Sequence, residues 1–121
     1  MNEVVLLSNK YISKESFLNE IMIEGYHLEL GGDNDQLWLI ANDVEKCEVV
    51  INLIFQDENG NVIEDEIEYQ LSECRNLPYE GFLYSLEYKN SKLLNKLLKC
   101  LNVKERNLFI EYNGSGKFEK V

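Results

Sequence analysis

The sequence predicts an α+β fold: a mainly antiparallel sheet of about six to eight strands with two helices on one of its faces. Three observations lead there. Short runs with apolar residues at alternate positions recur along the chain, which is the strand period. Residues 14–25 and 90–102 instead carry apolar residues at helical spacing. Between the strand-like runs stand compact turn sequences, "GGDNDQ", "QDENGN" and "NGSG", of the kind that join antiparallel neighbours.

In chain order, "EVVLLS" reads as the first strand. Ser13 offers an N-cap for a helix in "KESFLNEIMIEG", where Phe17, Leu18, Ile21 and Met22 form one apolar stripe and Gly25 supplies the stop. "YHLEL" and "LWLIA" flank the turn "GGDNDQ", so residues 26–41 read as a hairpin. "CEVVINLIF" and "VIEDEIEYQL" flank "QDENGN", and Asn59-Gly60 is a strong hairpin signal. A two-residue loop there sets Phe55 against Glu64 and Leu53 against Glu66. A three-residue loop of Glu58, Asn59 and Gly60 sets Phe55 against Ile63, Ile51 against Ile67 and Val49 against Tyr69. One residue of slip exchanges the faces, so the hydrophobic pattern selects the longer loop, with Gly60 left-handed in a bulge. Glu64, Glu66 and Glu68 then share the face turned away from the core. Ile54, Asn52 and Val50 lie beside them, and no local cation does.

The best loop in the chain is "CRNLPYEG", around the single proline, Pro78. Neither side of it has enough apolar residues for a core of its own, so residues 1–121 read as a single domain. "GFLYSLEY" is a further strand. "NSKLLNKLLKCLN" is the clearest helix, with Leu93, Leu94, Leu97, Leu98 and Leu101 inward and Lys92, Lys96 and Lys99 on a solvated face. Ser91 or Asn90 caps its start. "NLFIEY" is a strand, "NGSG" a turn, and "KFEKV" a short final strand.

The totals fit such a domain. A chain of 121 residues buries roughly two-thirds of its unfolded surface, enough for one core without metal or disulfide support. Apolar residues make up 45% and charged residues 28%, and seven Tyr, five Phe and one Trp argue against disorder. No apolar run approaches the ~20 residues of a membrane span. The start "MNEVVLLSNK" lacks a basic n-region and a small-residue cleavage site, which reads as a cytoplasmic protein. Cys47, Cys74 and Cys100 are odd in number and form no CxxC, which fits free thiols, small core residues in a reducing compartment.

Charge is the informative quantity. The net charge is −10. Residues 1–88 hold 19 acids and 4 bases, giving −15, and residues 89–121 hold 3 acids and 8 bases, giving +5. The acidic part repels nucleic acid and anionic membrane and attracts a basic protein. Self-repulsion on this scale opposes compaction, and a densely positive partner relieves it.

Catalytic motifs do not account for the chain. GxSxG, HExxH, GxxxxGK[ST] and GxGxxG do not occur in it. The single histidine, His27, reads as a strand residue on a partly exposed face. "DENGNVIEDEIE" places Asp57, Asn59, Asn61, Asp65 and Glu68 at EF-hand ligand positions. Val62 occupies the turn-glycine position, however, and the flanks read as strands rather than helices. The expectation is therefore a non-enzyme with no cofactor and no metal. Trp38 has two readings, a core anchor or an interface residue.

Length, lack of catalytic motifs, the hairpin "QDENGNVIEDEIEYQL" and the acidic turn "GGDNDQLWL" together give a whole-chain profile that resembles bacterial immunity proteins. The likeness is to those of contact-dependent growth inhibition and related polymorphic toxin systems. It implies a small cytoplasmic α+β protein that binds and blocks a basic toxin domain, commonly a nuclease. The family shares no motif, so the resemblance transfers no functional residue. The charge map selects Asp33 and Asp35 at one hairpin tip, and Glu64, Glu66 and Glu68 along a strand face, as partner-binding groups, with Trp38 or Tyr26 as an apolar anchor. The partner is a protein, not nucleic acid or membrane, and the free chain is a monomer or weak dimer. Two alternatives share the same physics. One is a phage-type inhibitor of a nucleic-acid-binding protein. The other is a self-associating domain whose acidic face meets the lysine helix of another copy.

Overall fold

The computed structural model describes residues 1–32, 36–53, 81–112 and 114–121. They form an α+β fold: a seven-stranded antiparallel sheet with two helices. The elements are β1 (Asn2–Ser8), α1 (Lys14–Glu20), β2 (Tyr26–Gly31), β3 (Gln36–Ala41), β4 (Cys47–Asn52), β5 (Phe82–Tyr88), α2 (Ser91–Leu101), β6 (Leu108–Tyr112) and β7 (Glu119–Lys120). The spatial order is β2-β3-β4-β5-β1-β6-β7. The first strand of the chain therefore lies between the strands before and after α2.

Strand alternation divides the sheet into two faces. The registers place Leu28, Leu39, Val49, Tyr88 in one cross-sheet row and Leu30, Leu37, Ile51, Leu86, Val4, Tyr112 in the next. Apart from Leu30, which is 44% exposed, these side chains and the buried sides of both helices make one core, so the two helices lie on one face as expected. α2 supplies Leu93, Leu94, Leu97, Leu98 and Leu101, all buried, at the spacing of a single helical stripe. Asn90 is its N-cap, accepting from Lys92 N at 2.8 Å and Leu93 N at 3.4 Å. Lys99 in the last turn suits the negative end of the helix dipole.

α1 is shorter than its sequence stripe implies. Ser13 caps it, with Oγ accepting from Ser16 N at 3.0 Å. The helix nevertheless ends at Glu20, and Ile21 is already extended (φ −83°, ψ 99°). Phe17 and Ile21 reach the core, whereas Leu18 is exposed and Met22 is 81% exposed. The Arg106 guanidinium holds Glu20 through Nη1–Oε1 at 2.6 Å and Nη2–Oε2 at 3.0 Å, and also donates to the Leu101 carbonyl at 2.8 Å. This fork ties the last residue of α1 to the last residue of α2. Gly25 (φ 86°) does not end the helix but turns the chain into β2.

The expected partner of β4 is also corrected. Val49, Val50, Ile51 and Asn52 pair with Tyr88, Glu87, Leu86 and Ser85 of β5 on one side, and β3 occupies the other. Both edges of that stretch are thus taken, and the second strand of the expected hairpin, with Ile67 and Tyr69, lies outside the described residues. The apolar faces of β4 and β5 match as well as the local hairpin would, and β5 adds a continuous ladder to β1.

One hydroxyl fixes the exit of β1. Tyr84, 2% exposed, accepts from Ile12 N at 2.7 Å and donates to Ile12 O at 3.1 Å. Its ring meets Phe17 edge-on, with centroids 5.3 Å apart. The substitution Tyr84→Phe leaves both main-chain groups of Ile12 unpaired in the core. It is expected to lower stability by about 1–3 kcal/mol, read from urea unfolding with an unchanged slope.

Candidate functional site: the sheet face away from the helices

The face opposite the helices is not a simple solvated surface. Leu7, Leu83 and Glu111 are buried on it, Gln36, Trp38, Asn52 and Glu87 are half-buried, and His27 and Glu29 at the β2 side are exposed. Its polar members cluster by register. Glu3 of β1 stands directly across from Glu87 of β5, whose other neighbour is Val50 of β4. Directly opposed like charges are unfavourable in a sheet unless a third group answers them. Lys89, whose N–H donates to the Glu48 carbonyl at 3.2 Å, lies beside these acids, and Lys120 sits over the Phe109 ring at 5.3 Å from its centroid.

Trp38 stands at the β2–β3 corner of this face, opposite Glu29. It is held from two directions. Its Nε1 donates to Gln36 Oε1 at 2.9 Å, and Gln36 Nε2 donates to Asn52 Oδ1 at 2.7 Å. The indole also lies over Gly31, where a Cβ would overlap the ring. Glycine is thus required at 31 for space. Trp38 is not part of the helix-side core, since its register places it with Gln36 and Ile40 on the far face. Beside it, His27 Nε2 lies 3.5 Å from Glu29 Oε1, and His27 Nδ1 contacts Asn42 Oδ1.

The lysines of α2 lie on the other side of the sheet. Among the described residues, none of Lys92, Lys96 and Lys99 forms an ion pair. The acids of the far face and the cations of the last helix are therefore separated by the sheet and its core.

Of the residues selected from the sequence, Trp38 and Tyr26 lie within the described structure, on opposite faces of the β2–β3 hairpin. Asp33, Asp35, Glu64, Glu66 and Glu68 lie outside the described residues, as does Cys74. The sequence reading did not single out Glu29, Glu48, Glu87 or Glu111. Glu29 could have been found from the period of "YHLEL", but the Glu3–Glu87 pairing depends on a contact between distant segments.

Burial pushes the Cys47 thiol above its ordinary value, more than the nearby Lys89 charge lowers it, which leaves it a poor nucleophile. Among the described residues, no group of three or more His, Cys, Asp or Glu converges as a metal site would. Among the same residues no helix is long and apolar enough to cross a membrane. No protein-family model, curated protein or solved structure matches the chain.

Two outcomes test this geometry. Gly31→Ala displaces the only tryptophan, so its fluorescence is expected to shift to the red, with a stability loss of about 1–2 kcal/mol. Glu111 is 1% exposed with Oε2 lacking any partner, and Glu111→Leu removes that uncompensated group. Urea unfolding of this variant is expected to show a gain of about 1–3 kcal/mol.

Proposed function

We propose that this protein is a non-catalytic, acidic binding protein of the cytoplasm that neutralises a cognate basic toxin domain by covering its active site. A nuclease domain is the target class. The observation that carries the reading is the separation of charge: Glu3, Glu29, Glu48 and Glu87 belong to the sheet, while the lysines of α2 stand behind the core and pair with none of them. A nuclease cleft is lined with Lys and Arg to hold phosphates. A row of carboxylates competes for the same groups through charge-assisted hydrogen bonds. Complementary potentials also hasten encounter, which suits an inhibitor that must act before its target reaches nucleic acid.

Trp38 supplies the apolar part of the proposal. Its ring is pinned by Gln36 and Gly31 before any partner arrives. An anchor already held in one conformation loses little entropy on docking. Asp33 and Asp35 adjoin it in sequence, and Glu64, Glu66 and Glu68 complete the proposed partner-binding set. The reading needs no cofactor and no metal.

The test is calorimetry with the toxin domain encoded by the adjacent reading frame. A one-to-one complex is expected, with affinity falling at least tenfold between about 20 and 300 mM salt, because rim and cleft charges are screened on that scale. Trp38→Ala is expected to weaken the complex by about 2 kcal/mol or more. No complex at low salt, or an affinity indifferent to salt, would overturn the reading.

A further inference from the structure

Among the described strands β2 is an edge of the sheet, and its outer side has a definite pattern. Asn42 N–H donates to Gly25 O at 2.9 Å, in the same register as the ladder that pairs Tyr26 with Ala41. In an antiparallel ladder, hydrogen-bonded pairs alternate with non-bonded ones. His27, Glu29 and Gly31 therefore spend their main-chain groups on β3. The N–H and C=O of Leu28 and Leu30, and the carbonyl of Tyr26, point away from the sheet. The Tyr26 N–H is taken by Ile23 O at 3.1 Å.

Most sheets protect such an edge with lysine, proline, a bulge or very short length. β2 is six residues long, without Lys or Pro, and Leu30 is 44% exposed. The opposite edge, β7, has only two residues.

We infer that β2 is a self-association surface, on which β2 of a second copy pairs antiparallel about a two-fold axis through Leu28. Leu28 then exchanges both main-chain hydrogen bonds with Leu28 of the second copy. Each Leu30 N–H meets the Tyr26 carbonyl of the other copy. On the helix side Tyr26 faces Leu30 of the second copy and covers its exposed side chain. On the far side His27 faces Glu29 of the second copy, and Glu29 faces its His27. These are the non-bonded pairs, where side chains approach most closely.

Charge complementarity selects this register. Moving the axis to His27 opposes the two histidines, and moving it to Glu29 opposes the two glutamates. Only the axis at Leu28 sets unlike groups against each other in both pairs. The interface is isologous, so the two-fold closes it and no filament grows. The small area makes it a weak dimer rather than an obligate one. It uses main-chain groups and a His–Glu exchange. It does not set the acidic face against the lysine helix, and it needs no toxin.

Sedimentation equilibrium of the isolated protein up to millimolar concentration tests it. The mass is expected to rise from monomer towards dimer. Leu28→Pro, which removes the outward N–H along with a half-buried side chain, is expected to abolish the rise. His27→Glu opposes two glutamates in each pair and is expected to weaken association about tenfold. The double exchange His27→Glu with Glu29→His restores unlike pairs and is expected to recover it. Circular dichroism and urea unfolding confirm that each variant is folded, and His27 and Glu29 are exposed enough to change without touching the core. A monomer throughout the range overturns the inference. A dimer that survives Leu28→Pro, or one that the double exchange fails to rescue, overturns it equally.

Discussion

The structure depends on the double pairing of β1. Its residues Val4 to Ser8 hydrogen-bond to β5 on one side and to β6 on the other. Both partners come from beyond residue 81, so the amino-terminal strand is complete only when the carboxy-terminal third of the chain has closed around it. The loop closure is long, but its entropic cost grows only slowly with length. The return is large: Val4, Leu6, Leu86, Tyr84, Ile110 and Leu108 become one buried block. Tyr84 then pins the chain leaving β1 through Ile12, and that connection delivers Phe17 onto the same ring. Helix α1 is placed by tertiary contacts, since seven residues are too few to be stable alone.

This centre decides where charge can go. The helix-side face is committed to the core, so acidic residues of the strands fall on the other face or at the edge. Glu20, at the end of α1, is answered by the Arg106 fork at the junction of the two helices. The lysines of α2 occupy the outer surface of the helix layer, where leucines opposite them hold the helix down. The resulting polarity is a consequence of topology: anything that packs α2 on the sheet by its leucines carries its lysines away from the far-face glutamates.

Most of the fold was legible in the sequence because most of it is local. The periods of "EVVLLS", "LWLIA", "GFLYSLEY" and "NLFIEY" mark strands that the structure contains, and the Asn90 cap with its leucine stripe marks α2. Two features escaped. The early end of α1 is one: Ile21 turns extended where Glu20 meets Arg106, a residue far along the chain that no local pattern couples to it. The pairing of β4 is long-range: β5 offers Val49 and Ile51 apolar neighbours together with a continuous ladder through β1, a contact that no local turn signal announces. Local turn chemistry says where a chain can reverse. It does not rank the partners available once the whole sheet exists. For the candidate site the same limit applies. Trp38 is conspicuous as the only indole, yet the reason its orientation is fixed, the bare Cα of Gly31 beneath it, required the register of β2 against β3.

On the proposed function, the opposed Glu3 and Glu87 are part of a binding surface rather than leftover exterior. A strand position can carry almost any polar residue at small energetic consequence, and a lysine or threonine at either site would remove the cross-strand repulsion. Glu111 makes the same point more strongly, because a buried carboxylate oxygen without a partner opposes folding. Alongside these liabilities stands an ordered aromatic corner, in which Asn52, Gln36 and Trp38 form a chain of hydrogen bonds across two strands. Repulsion among acids and rigidity around an indole have unrelated causes within the isolated fold. They acquire a common cause if a cationic surface docks there. Such a ligand would meet acids and an aromatic contact already held in place on one face.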